Sequence, residues 1–132
     1  RSGRAVAMVR RMAPSDRPSS PEAWARLEAI CHALTDVSVK TSHGELAWSV
    51  GVGRTARQFA TTWDHHPDDR NAVVFAAPAG AQQQLVEGAP DRYFVPPYVG
   101  GRGWVGMYLD VPDVDWDLVE LHLGDAHAHT RG

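Results

Sequence analysis

Two periodicities of apolar residues succeed one another along this chain. Over residues 21–34 apolar positions recur every three or four residues, which predicts an amphipathic helix. Ser20 and Pro21 suit its start, because serine is a good N-cap and proline needs no N–H bond in the first turn. From residue 37 apolar and polar residues alternate instead, which predicts strands whose short connections favour an antiparallel meander. The four predicted strands are 37–41, 46–50, 59–63 and 72–76.

The second half of the chain completes an α+β pattern. Its predicted elements are a helix at 79–87, strands at 93–95 and 104–109, and a final helix that begins at Asp113 or Asp115. The order is therefore α-β(4)-α-β(2)-α, with an antiparallel sheet and the N-terminal and C-terminal helices packed on one face. This packing is expected to bury one apolar face of each terminal helix: Trp24, Leu27, Ile30, Leu34, Trp116, Val119 and Leu123.

Composition divides the chain into a basic tail and an acidic domain. Residues 1–20 carry five arginines against one aspartate, and the prolines and serines of 13–21 disfavour regular structure. We therefore expect a disordered basic tail and linker over 1–20 and a single domain over 21–132. The whole chain holds 13 basic and 16 acidic residues, which leaves eight basic against 15 acidic residues after the tail. That balance argues against a broad groove that tracks phosphates.

The number of cysteines and the hydropathy of the chain indicate the expected cellular location. Cys31 is the single cysteine, so an intramolecular disulfide framework is excluded and the cytoplasm is the expected location. Its place on the apolar helix face predicts a buried, unreactive thiol. No apolar run approaches the roughly 20 residues of a membrane span, so no membrane partner is expected.

The most distinctive segment is RYFVPPYVGGRGWVG at residues 92–106, followed by Leu109-Asp110 and by VDWD at 114–117. These motifs resemble the signature of the MmcQ/YjbR-like family, over an extent from Pro21 to Asp125. The resemblance implies a compact α+β fold and a predicted DNA-binding function through a double-wing motif. One namesake of the family belongs to an antibiotic biosynthesis cluster, so the resemblance also leaves small-molecule binding open.

The chain departs from the family pattern at three places. Residues 42–44 lack the proline of the family's Gly-His-Pro turn, and 53–57 stand where members commonly have a Gly-Lys turn. The end at 125–132 lacks the Pro-Lys-Arg segment often found after the last helix. The missing basic end counts specifically against DNA binding.

Two glycine-containing turns place arginines where a double wing would contact DNA. Arg54 follows Gly53, with Arg57 nearby, and Arg102 lies between two glycines. Glycine permits a tight turn, and an arginine at its tip can reach a phosphate or a narrow minor groove. The alternative is that these arginines are ordinary exposed surface on an acidic domain. The first functional hypothesis is a non-enzymatic module that binds DNA weakly through Arg54, Arg57 and Arg102.

Aromatic residues motivate a second hypothesis. The chain has five tryptophans, a high number for its length, and large aromatic side chains commonly line pockets for flat ligands. The candidates for such a pocket are Trp48, Trp63, Tyr98 and Trp104, together with His43. The protein would then bind an aromatic metabolite or antibiotic, as a carrier or self-resistance protein does. The alternative for each tryptophan is packing in the core.

Enzymatic and metal chemistry have the least support. No Gly-x-Ser-x-Gly motif, phosphate-binding loop or dinucleotide fingerprint occurs, and His43 beside Glu45 is an isolated candidate acid-base pair. The histidines at 65–66, and His127 with His129, have the chemistry of metal ligands. Their positions favour a solvated turn and a frayed end. We therefore expect no metal and no cofactor, and the sequence does not constrain the oligomeric state.

Overall fold

The computed structural model describes residues 20–64 and 70–132 and has the predicted element order. The helices are α1 (Ser20–His32), α2 (Ala81–Gly88) and α3 (Trp116–Arg131). The strands are β1 (Val37–Ser42), β2 (Glu45–Val50), β3 (Arg57–Trp63), β4 (Ala72–Phe75), β5 (Tyr93–Phe94) and β6 (Val105–Tyr108). Two 3-10 turns, Gly53–Thr55 and Gly100–Arg102, lie in connections between strands. The α+β class predicted from the sequence is confirmed.

Every strand pair in the sheet is antiparallel, in the order β1-β2-β3-β4-β6-β5. The first four strands form the predicted meander, because short connections favour antiparallel neighbours. β6 pairs with β4, and the two-residue β5 forms the outer edge. α3 packs across β2, β3 and β4, α1 contacts β1 and α3, and α2 lies against β5.

The first two helices have slightly different bounds from those predicted. α1 ends at His32 rather than at residue 34, because the N–H groups of residues 33 and 34 donate to carbonyls three residues back. This tighter hydrogen-bond pattern is the common way in which an α-helix closes. α2 begins at Ala81, two residues later than predicted, because Gly80 has a left-handed φ of 89° that a helix does not continue.

The last helix starts after Asp115 and not after Asp113, the other start that the sequence allowed. Trp116 is its first residue, and the Asp115 carboxylate accepts a hydrogen bond from the Leu118 N–H at 3.1 Å. This N-cap satisfies one of the N–H groups that a helix start leaves without a partner. Of the side chains expected in the core, Leu27, Val119 and Leu123 are fully buried, while Trp24, Ile30, Leu34 and Trp116 are half-buried.

A β-bulge in β3 brings two large aromatic rings into the core. Trp48 pairs with Ala60, whereas Ser49 pairs with Gln58, so Phe59 is the extra residue. Phe59 and Trp48 are both fully buried. The ring of Phe59 packs edge-on against His127 of α3, with the ring centroids 5.3 Å apart. The bulge therefore fixes how β3 meets the helix above it.

Several expectations fall on residues that the structure leaves undescribed. They are the tail over residues 1–19 and the histidines at 65–66. Within 20–64 and 70–132, no helix combines the length and hydropathy of a bilayer-spanning segment. In the same ranges, no cluster of three or more histidine, cysteine or acidic side chains is arranged to hold a metal ion.

Candidate functional site

Both glycine-arginine turns lie at the same end of the sheet. The register places Phe75, the last residue of β4, beside Ala60 of β3 and beside Val105 at the start of β6. The β2–β3 and β5–β6 connections therefore leave the sheet at one end. Only β4 separates them, so they are two strand spacings, or about 10 Å, apart. We call this end, formed by residues 51–57 and 95–104, the arginine end.

The β2–β3 connection is anchored at its base and exposed at its tip. The Gly51 N–H donates to the Asp36 carbonyl at 2.7 Å, and the Ser38 hydroxyl donates to the Gly51 carbonyl at 2.6 Å. Gly51 and Gly53 have φ of 90° and 65°, which favours glycine over residues with a side chain. The 3-10 turn that begins at Gly53 carries Arg54 into solvent. The tip thus presents an arginine on a backbone held by hydrogen bonds.

The β5–β6 connection is held by a side chain of α2. The Gln82 amide donates from Nε2 to the carbonyl of Gly100 at 2.8 Å and to the carbonyl of Trp104 at 2.7 Å. These two bonds clamp the turn that contains Arg102. The Arg102 guanidinium lies over the Trp104 ring, 5.5 Å from its centroid. This contact restricts the direction in which the arginine points while the side chain stays exposed.

Tyr98 is an exposed and conformationally strained aromatic residue on the same connection. Its side chain is 93% exposed, and its φ is 67°, which is unfavourable for a bulky residue. The Val99 N–H donates to the Pro97 carbonyl at 2.7 Å, so residues 97–99 form a γ-turn centred on Tyr98. Backbone strain of this kind clusters at functional sites, so Tyr98 is a candidate contact residue.

Charge is segregated between the two ends of the sheet. At the arginine end, including the end of α3, the charged side chains are Asp36, Arg54, Arg57, Arg102 and Arg131, a balance of +3. At the opposite end, which we call the acidic end, they are Glu22, Arg26, Glu45, Asp64, Arg70, Glu87, Asp91, Arg92, Asp110, Asp113, Asp115 and Asp117, a balance of −6 over the described residues. The acidic composition of the domain is therefore concentrated away from the arginines.

The structure does not bring the five candidate pocket residues together. Trp48 and Trp63 are both buried but lie on opposite faces of the sheet, because Trp48 pairs with Ala60 and Trp63 is three positions further along β3. Trp104 is buried beneath Arg102, and Tyr98 stands in solvent. His43 is exposed in the β1–β2 turn at the acidic end, with φ of 54°.

Glu45, which the sequence suggested as an acid-base partner of His43, forms hydrogen bonds that connect two strands. The Glu45 carboxylate accepts hydrogen bonds from the Thr62 hydroxyl at 2.6 Å and from the Asp64 N–H at 2.8 Å, so it connects β2 to the end of β3.

Cys31 is fully buried, as expected. Burial, with the nearby Glu28 carboxylate, raises the pKa of its thiol to about 12. A thiol with this pKa holds almost no thiolate at neutral pH.

Two contributors to the arginine end were missed by the sequence analysis. Gln82 is one of three successive glutamines in α2, and nothing in that run shows which of them reaches a neighbouring loop. Arg131 falls in the segment expected to fray, but α3 continues to it. The position of Arg131 could have been inferred from the direction of the last helix. A helix that starts after β6 runs back along the sheet and finishes at the opposite end of the strands.

Comparison with known proteins bears on the fold. No family model matches the chain, and no curated protein matches it. The fold matches that of a solved structure. The crystal structure of Deinococcus radiodurans protein DR2400, with the family-model domain DUF419, is similar at a TM-score of 0.64. The similarity covers 76% of this chain and 72% of that chain at 20% sequence identity, which shows a shared fold.

Proposed function

We propose that this chain is a DNA-binding module of the MmcQ/YjbR-like type that contacts phosphates through Arg54, Arg57 and Arg102. The observation that carries the proposal is the convergence of two anchored, arginine-bearing connections at one end of the sheet. Neither connection contains an acidic residue. The motif at 92–106 and the fold shared with DR2400 support the family assignment. A single, fully buried cysteine is consistent with action in the cytoplasm.

The net negative charge of the domain does not oppose this contact at physiological salt. α3 runs from the acidic end to the arginine end over 16 residues, which is about 24 Å of helix. The Debye length at 0.15 M salt is about 8 Å, so the two ends are separated by about three Debye lengths. A phosphate at the arginine end therefore experiences mainly the local balance of +3.

Tyr98 adds a contact of a different kind. An exposed aromatic ring stacks on an unpaired base with little regard to sequence, and such stacking contributes about 1–3 kcal/mol per base. Its turn lies in the same connection as Arg102, so one segment offers both a phosphate contact and a stacking surface. We therefore expect single strands to bind more tightly than duplexes of equal length.

The alternative of an aromatic pocket built from Trp48, Trp63, Tyr98, Trp104 and His43 has less support. These residues are divided between two faces and two ends of the sheet. Each tryptophan of the set is buried in a packed layer. The DNA hypothesis, in contrast, uses residues that converge on one exposed end.

Fluorescence anisotropy of the full chain with a labelled 20-nucleotide single strand and a 20-base-pair duplex tests the proposal. The log of the binding constant should fall linearly with the log of salt concentration, with a slope that becomes shallower by about one for each of Arg54, Arg57 and Arg102 changed to alanine. Tyr98→Ala should weaken single-strand binding by about 5-fold or more and leave the duplex nearly unchanged.

Arg26→Ala is the matched control, because Arg26 is exposed on α1 and stacks over Trp116, 5.0 Å from its ring centroid, at the acidic end. Its slope should equal that of the unmodified chain. All variants keep the arginines of residues 1–20, so the contribution of that segment cancels in the comparison. Unchanged slopes in all three arginine variants, or an equal change in the control, would refute the proposed contact surface.

A further inference from the structure

A cleft between α2 and α3 has the composition of a small-molecule site. Its volume is about 410 Å³, and it is open to solvent. Small and apolar side chains from the end of β4 and from both helices form most of its lining, and the polar groups are Gln84, His122, Asp125 and His129. None of the described residues that line it is an arginine or a lysine. Clefts of this size and apolar character accommodate ligands of drug-like dimensions.

His122 is the polar group that the fold holds most firmly in this cleft. Its ring stacks on Phe75 with centroids 5.1 Å apart and an interplanar angle of 15°. Its Nε2 lies 2.6 Å from the hydroxyl of Tyr93, which is itself almost fully buried. Nδ1 makes no hydrogen bond with the described residues. It is also not a buried atom, so a ligand can reach it. One face and one nitrogen of the ring are thus engaged, and the other nitrogen is available.

The Tyr93–His122 pair is neutral at pH 7. Burial lowers the pKa of His122, against a smaller opposing effect of Asp125, and burial raises the pKa of Tyr93. A neutral imidazole has one donor and one acceptor nitrogen, and a phenol hydroxyl can take either role. If the tyrosine donates to Nε2, Nδ1 carries the proton; if Nε2 donates to the tyrosine, Nδ1 is an acceptor. The pair can therefore meet a ligand donor or a ligand acceptor.

We propose that this cleft binds a small uncharged aromatic molecule with one hydrogen-bonding group, which pairs with Nδ1 of His122. The stacked rings of Phe75 and His122 and the small side chains Ala81 and Ala128 suit a flat apolar body. An anion is disfavoured, because among the described residues of the lining Asp125 alone carries a formal charge, and that charge is negative. None of the five aromatic and histidine residues expected from the sequence to form a pocket lines this cleft, and no residue of 51–57 or 95–104 lines it.

Titration of the full chain with N-phenyl-1-naphthylamine tests the site, because this neutral aromatic amine becomes fluorescent when it leaves water. We expect saturable binding of one molecule per chain. Ala128→Trp and, separately, Ala81→Leu fill the cleft and should each weaken binding at least 10-fold. Ala25→Trp, at an exposed position of α1 outside the cleft, is the matched control and should bind like the unmodified chain.

Two further experiments test the hydrogen bond of His122 and the preference for an uncharged ligand separately. His122→Phe preserves the stacked ring but removes the nitrogen, so binding should weaken by about 2- to 10-fold, the range expected for one hydrogen bond. The neutral competitor 1-naphthol should displace the probe, whereas 1-naphthoate should not. Circular dichroism verifies that each variant is folded. Absence of saturable binding, full binding by both cleft-filling variants, or equal displacement by the anion overturns the proposal.

Discussion

Gly106 is the position at which one added methyl group should be most disruptive. It lies in β6 directly opposite Phe94 of β5, and the Phe94 ring covers it. A Cβ at residue 106 would overlap that ring. Phe94 in turn stacks on Tyr108, with centroids 4.7 Å apart, and contacts Trp63 at 5.7 Å. Gly106→Ala must therefore displace Phe94 from both aromatic neighbours.

The magnitude follows from those contacts. Each aromatic pair contributes about 0.5–1.5 kcal/mol beyond its buried area, so loss of both costs about 1–3 kcal/mol. Alanine gains about 0.5–1 kcal/mol over glycine in strand stability, which offsets part of the loss. We expect Gly106→Ala to lower the free energy of unfolding by about 1.3 kcal/mol, the difference between the midpoints of these two ranges, measured by urea denaturation with circular dichroism.

Two comparisons make this prediction decisive. Gly124 lies within α3, where an added methyl group would meet only open space, so Gly124→Ala should stabilise the chain by up to about 1 kcal/mol. In a Phe94→Ala background, Gly106→Ala should no longer destabilise, because the ring that it displaces is absent. An unchanged free energy of unfolding in Gly106→Ala, or a loss that persists without the Phe94 ring, would show that Phe94 does not set the cost of a side chain at residue 106.

Three further outcomes are expected. Gln82→Ala should lower duplex affinity by about 2- to 5-fold and destabilise the chain by about 1–2 kcal/mol in urea titration, because it releases the carbonyls of Gly100 and Trp104. Since burial lowers the folded-state pKa of His122, its stabilising contribution is complete above the unfolded-state value near 6.5 and is lost as pH falls below it. The stability of His122→Phe, followed by thermal denaturation between pH 7 and 5, should therefore fall less steeply than that of the unmodified chain, by at most about 1.4 kcal/mol per pH unit. Cys31 should resist a thiol reagent at pH 8 until the chain is denatured.

The element order could be predicted because it depends on local patterns. Periodicity identified each strand and helix, and the Asp115 N-cap and the turn-forming glycines placed their ends to within a few residues. The sheet face on which Trp48 and Trp63 lie could not be predicted. Both tryptophans lie in strands with alternating apolar and polar residues, but the bulge at Phe59 determines which positions of β3 pair with β2 and therefore which side chains share a face. Register of this kind depends on contacts distant in sequence.

The convergence of the two arginine-bearing connections also lies beyond local pattern. α2 carries the chain from the arginine end back to the acidic end, so β5 starts there and the β5–β6 connection returns beside the β2–β3 connection. A tight turn in place of α2 would have reversed β5 and placed Arg102 at the other end. The sequence predicts Arg54, Arg57 and Arg102 as wing residues, and only the crossover of α2 makes the two connections that carry them neighbours.

The most direct test of the central claim is a residue-resolved map of the surface that DNA contacts. In an amide chemical-shift titration of the isotope-labelled full chain with a 12-nucleotide single strand, we expect the largest changes at 51–57 and 95–104. We expect essentially none at 109–117, where the aspartates of the acidic end lie. Changes confined to residues 1–20, or changes centred on 109–117, would contradict it.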